Sequence, residues 1–151
     1  MGPLILPTSG SVYIDANAII YSVERIEPYH ELLAPMWEEA RAASFTLTSS
    51  ELVLLETLIR PLREGNTRLE TLFRSILDAA EMNLLPATLA TWEYAARVRA
   101  GTGSATSDAL HAATALRSDC ALFLTNDTDF RRVQGLPVVT LDDFISEHSQ
   151  E

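Results

Sequence analysis

Four acidic residues occupy positions where an α/β sheet would place chemistry. Asp15 directly follows the short apolar run Val12-Tyr13-Ile14, and Asp127, with Asp129 close behind, follows Ala121-Leu122-Phe123-Leu124-Thr125. Sites in such sheets lie beyond the carboxyl ends of the strands. Asp108 falls in the first turn of a helical stretch, where the helix dipole favours an ionised carboxylate. Glu56 interrupts the apolar run Leu52-Val53-Leu54-Leu55-Glu56-Thr57-Leu58-Ile59, where a charge is costly to bury without compensation. Carboxylates gathered at one end of a sheet repel, and each is pushed towards protonation. A divalent cation removes that conflict. Hard Mg²⁺ or Mn²⁺ takes oxygen ligands and keeps positions open for water or phosphate, a combination that implies metal-assisted phosphodiester hydrolysis.

Other chemistries find less support. All eleven basic residues are arginine and the chain has no lysine, which excludes a P-loop lysine, Schiff-base chemistry and Ser–Lys dyads. There is no HExxH and no Cys/His cluster for zinc. Ser49-Ser50 lacks the glycine frame of a nucleophile elbow. His111, three residues after Asp108 on the same helix face, reads as a packing or hydrogen-bonding histidine, and His30 and His148 have no partner spacing. Glu51 lies about 140° round an ideal helix from Glu56. It reads as a first-turn acid and Glu56 as the ligand, with Glu51 the alternative. Asp129 and the Asp142-Asp143 pair read as turn or cap acids.

The elements that must position these residues follow from periodicity. Strands are predicted at Val12–Ile14, Phe45–Thr48, Leu84–Leu85, Ala121–Thr125 and Val138–Thr140. Helices are predicted from Ala18, over about 29–43, from a Ser49 or Ser50 cap to Arg60 before Pro61, and over 67–80 with Leu69, Leu72, Phe73, Ile76 and Leu77 on one face. Further helices are predicted over 87–100, over 108–118 with Thr106 or Ser107 as cap, and near 142–147. Short apolar strands alternating with helices indicate a parallel sheet covered on both faces.

At 151 residues, 47% hydrophobic and 21% charged, the chain is expected to form one α/β domain over 1–151. No apolar run reaches the roughly 18–20 residues of a membrane span. The stretch Met1–Pro7 has no basic residue and is not expected to be a signal peptide. Cys120, the single cysteine, suits a reducing cytoplasm. A formal charge of −10 argues against non-specific tracking of phosphate backbones.

In order along the chain, Val-Tyr-Ile-Asp15-Ala-Asn17-Ala-Ile-Ile-Tyr, Glu51-Leu-Val-Leu-Leu-Glu56-Thr-Leu, Ser107-Asp108-Ala-Leu-His111-Ala-Ala-Thr-Ala-Leu and Leu124-Thr-Asn126-Asp127-Thr-Asp129-Phe resemble the signatures of PIN domains. This is the metal-dependent nuclease family that includes VapC toxins. The resemblance covers essentially the whole chain. It implies a three-layer α/β/α fold with a central parallel β-sheet and an acidic pocket for Mg²⁺ or Mn²⁺. In that pocket Asp15 and Asp108 would be direct ligands, completed by Glu56 and Asp127 partly through water. Asn17, Thr125, Asn126 and Asp129 would support them, Thr125 and Asn126 by orienting the last acid. It further implies an endoribonuclease acting on RNA, a cognate antitoxin that neutralises it, and a homodimer. Arg60, Arg63, Arg68, Arg74, Arg97 and Arg99 are candidates for an RNA-facing or antitoxin-facing rim. Two competing readings are a non-catalytic PIN-like module that binds RNA or protein, and an aspartate-nucleophile phosphatase using Asp15. The phosphatase reading is weakened by Asn17 at its second acid position and by the missing lysine.

Overall fold

Successive side chains of a strand point to opposite faces, and in the first strand Val12, Tyr13 and Ile14 are all fully buried. Such a strand needs cover on both sides, and the rest of the chain provides it. The computed structural model describes residues 4–148, without the side chains of 146–148. Met1–Pro3 of the opening stretch and the His148 side chain lie outside the described residues. Along the chain come β1 (Ser11–Ile14), α1 (Ala16–Val23), α2 (Tyr29–Arg41), β2 (Thr46–Ser50), α3 (Leu52–Glu64), α4 (Thr67–Leu77) and β3 (Met82–Leu85). There follow α5 (Leu89–Thr102), α6 (Thr106–Ser118), β4 (Leu122–Thr125), a 3-10 turn (Thr128–Arg132), β5 (Val138–Thr140) and α7 (Leu141–His148).

The five strands form one all-parallel sheet in the order β3-β2-β1-β4-β5. The chain builds outward from β1 through β2 to β3, then crosses back to lay β4 on the other side of β1. The strand order therefore reverses between β1 and β4, and open α/β sheets bind ligands in the crevice outside that switch point. Val12, Ile14 and Leu124 face one layer, where they pack with residues of α1, α2, α3, α4 and α7. Tyr13 and Phe123 face the other, against α5 and α6, with their rings stacked at 5.1 Å between centroids. This is the three-layer α/β/α arrangement. Among the described residues no helix is long and apolar enough to cross a membrane.

Several boundaries differ from expectation. Ser49 and Ser50 belong to β2: Ser49 donates its hydroxyl to the Ile14 carbonyl at 2.6 Å, while Ser50 still accepts the Leu52 N–H at 3.1 Å. α3 runs past Pro61 to Glu64, because Pro61 is buried in the packed face and the helix closes only where Gly65 turns left-handed at φ 67°. α6 begins at Thr106 after Ala105, with no side-chain cap, so Thr106 and Ser107 sit inside its first turn. Leu72 is exposed, since α4 buries only the Phe73–Leu77 side of its apolar stripe. Cys120 is buried, and burial pushes its thiol up to about 11, which makes it an inert packing residue.

Leu124 tests how tightly the layer is packed. It is fully buried in an interior strand of the sheet, between β1 and β5. Leu124→Ala is expected to lower unfolding free energy by about 2–5 kcal/mol in a urea titration. A loss below about 1 kcal/mol would mean that the layer closes over the gap.

Candidate active site

Ile14 pairs with Leu124, so the next residues of each strand, Asp15 and Thr125, stand side by side at the carboxyl edge. Asp15 is the N-cap of α1. Its backbone is extended and its Oδ1 accepts the Ala18 N–H at 3.2 Å, satisfying one of the helix's unpaired donors. Its Oδ2 accepts the Thr125 hydroxyl at 2.6 Å. The carboxylate is buried, at 6% exposure, and loss of water raises its pKa. The Thr125 hydrogen bond and the His111 ring act in the opposite direction but do not overcome burial.

The other acids arrive from separate elements. Asp127 caps the 3-10 turn: its Oδ1 accepts the Asp129 N–H at 2.9 Å, and its own N–H donates to the Thr125 hydroxyl at 3.1 Å. One hydroxyl thus ties Asp15 to the loop that carries Asp127. Asp108 lies in the first turn of α6, and its pKa is raised, first by burial and then by the charge of Asp127. Glu56, in α3, places Oε1 2.6 Å from Nε2 of the buried His111. Asp15, Glu56, Asp108 and Asp127 line a single cavity of about 70 Å³, together with Ala16, Asn17, His111 and Phe130. Among the described residues, no three His, Cys, Asp or Glu side chains are arranged to hold one metal ion directly. The donor set is all hard oxygen apart from His111. It suits an ion that takes one or two carboxylates and reaches the rest through water, as Mg²⁺ does.

Other candidates fall outside that cavity. Glu51 is exposed, turned away from Glu56 as the helical angle requires, and its N–H pairs with the Leu85 carbonyl at 3.0 Å. Asn126 does not touch Asp127 through its side chain. Its Nδ2 donates to the Tyr21 hydroxyl at 3.3 Å and its Oδ1 accepts the Asp142 N–H at 3.1 Å, tying β4 to α1 and α7. Asp129 is exposed and pairs with Arg132 at 3.3 Å. The six candidate rim arginines are all exposed; Arg60 pairs with Glu24, and Arg74 with Glu70 at 2.8 Å. His111 and Tyr13 lie outside the site that the residue pattern predicts. The three-residue spacing of Asp108 and His111 was the only sequence signal for the histidine, and nothing local pointed to its contact with Glu56.

Similar architectures are found among solved structures. VapBC2 from Rickettsia felis, bound to a DNA fragment from its promoter, superposes with a TM-score of 0.69 at 17% identity over 86% of this chain and 98% of that one. PAE2754 from Pyrobaculum aerophilum gives 0.61 at 13% identity over 95% and 99%. A toxin–antitoxin complex from Klebsiella pneumoniae gives 0.60 at 18% over 85% and 96%. At these identities the likeness is one of fold. Comparison with curated proteins gives no match. The family model of the PIN domain matches residues 12–136, most of the chain and all of the cavity's lining, and the chain belongs to the PIN-domain family.

Proposed function

We propose that this PIN-domain protein is a nuclease that cleaves RNA with Mg²⁺ or Mn²⁺, and that it is the VapC-like toxin of a toxin–antitoxin pair. The observation that carries the reading is the lining of one small cavity, at the sheet's switch point, by carboxylates from four separate elements. Asp15 would hold a charge there with little freedom to rotate, since both of its oxygens are already hydrogen-bonded. Asp108 and Asp127, whose charges repel, would share the cation that relieves them. Glu56, anchored by His111, would complete the pocket and face the attacking water. A bound divalent cation supplies a more acidic water and neutralises the charge that develops on the phosphate. The toxin assignment rests on family membership and on the toxin–antitoxin assemblies among the structures of similar fold. On this reading an antitoxin masks the cavity and the active form is a homodimer.

The competing reading is a PIN-like module that binds without cutting. Incubating the purified protein with mixed-sequence single-stranded RNA separates the two. Cleavage that needs Mn²⁺ or Mg²⁺ and stops with EDTA is the expected outcome. RNA binding with neither scission nor site-specific Mn²⁺ uptake by calorimetry would establish the binding module instead.

A further inference from the structure

Behind the cavity lies a buried chain of hydrogen bonds that the acidic set does not include. The Tyr13 hydroxyl is 2.7 Å from Nδ1 of His111, and Nε2 of His111 is 2.6 Å from Oε1 of Glu56. Tyr13 is completely buried and His111 is 2% exposed, whereas the Glu56 side chain is 28% exposed. The chain therefore runs from the inner face of the sheet outward to one carboxylate at the cavity wall. A carboxylate only accepts, so Nε2 donates its proton to Glu56, while Nδ1 pairs with the Tyr13 hydroxyl. The Tyr13 ring is fixed in turn by stacking on Phe123, with planes 6° apart. Tyr13 and His111 are thus buried and hydrogen-bonded, while the Glu56 side chain that they reach is partly exposed.

We propose that Tyr13 and His111 are positioning residues that select one orientation of the Glu56 carboxylate, so that one oxygen is held by His111 and the other is left to the cavity. The proposal rests on the nuclease reading above and deepens it: the metal and RNA phosphate would meet a preset Glu56, not a mobile one. Groups behind a metal site that orient its ligands commonly contribute about 10- to 100-fold to metal affinity or activity.

The test is a double-mutant cycle read by Mn²⁺ calorimetry and by cleavage of mixed-sequence single-stranded RNA. The variants are H111L, H111Q, Y13F/H111L and E56Q, alone and with H111L. H111Q keeps an N–H aimed at Glu56. Y13F/H111L removes both buried polar groups together, so that the Tyr13 hydroxyl is not stranded if H111L alone fails to fold, and the part-exposed Glu56 is left to solvent. Expected are losses of about 10- to 100-fold in Mn²⁺ affinity and in kcat for H111L and Y13F/H111L. H111Q should stay within about threefold of the parent protein, and H111L should add no further loss on the E56Q background. Equal losses with and without Glu56, or full Mn²⁺ affinity and kcat in Y13F/H111L, overturn the positioning role while leaving the nuclease intact. Absence of both Mn²⁺ uptake and cleavage in the parent protein removes the nuclease reading and this one with it.

Discussion

Asp15→Asn is expected to reduce divalent-metal-dependent RNA cleavage by about 10²–10³-fold or more, the loss typical when a fixed charge-stabilising group is removed from an active site. The fold should survive the change. Asparagine is as good an N-cap as aspartate, so Oδ1 can keep the Ala18 N–H. The Thr125 hydroxyl must turn its proton away from the new amide, a small rearrangement beside the removal of a buried charge. Asp108→Asn should act the same way, since its carboxyl is raised both by burial and by its neighbour Asp127. The control lies in α3. Glu56→Gln should lower cleavage by about 10- to 100-fold, whereas exposed Glu51→Gln should leave it near the parent rate. Gel-resolved cleavage of one RNA by all four variants reads the comparison. Unchanged rates in both Asp15→Asn and Asp108→Asn would exclude the cavity as the site of chemistry.

Removing the metal should have an effect of similar size on cleavage and a pH-dependent effect on stability. Asp15 and Asp108 both titrate above the ordinary carboxylate range in the folded protein, chiefly because burial disfavours their charge. Between the unfolded and folded values the native state binds more protons than the unfolded chain. The contribution of these two groups to stability therefore falls as pH rises through that window, and above it persists as a fixed penalty. Metal-free Asp108→Asn should lose the Asp108 share of this slope, keep that of Asp15, and melt above the parent protein at neutral pH. Mn²⁺ should stabilise the parent more at pH 7 than at pH 5, because its ligands must be deprotonated. At a hundred times Kd that stabilisation is about 2.7 kcal/mol, or roughly 5–10 °C in Tm for a domain of this size. A Mn²⁺-induced shift that Asp15→Asn leaves intact would place the ion elsewhere.

Of the four cavity acids, three were visible because their positions are local facts. Asp15 and Asp127 end apolar strands and Asp108 opens a helix; strand ends and helix starts are written in short runs of residues. The layering was equally legible: short runs apolar at every position, such as Val12-Tyr13-Ile14, alternating with helices indicate a parallel sheet covered on both faces. Helical angle showed that Glu56 and Glu51 could not both face one site, and left open which of them does. What the residues alone did not decide was cooperation across long separations. The Thr125 bond to Asp15 spans 110 residues, the His111 bond to Glu56 spans 55, and that from His111 to Tyr13 spans 98. No local propensity encodes such pairs. They exist because the strand order reverses between β1 and β4 and because α6 packs against the inner face of the sheet. The continuation of α3 through Pro61 has the same origin, since burial against the core outweighs a local helix-breaking tendency. Residue types and their spacing thus fixed which groups could carry charge and where elements begin. Only packing determined which of them meet, because a hydrogen bond depends on tenths of an ångström that are set by everything behind it.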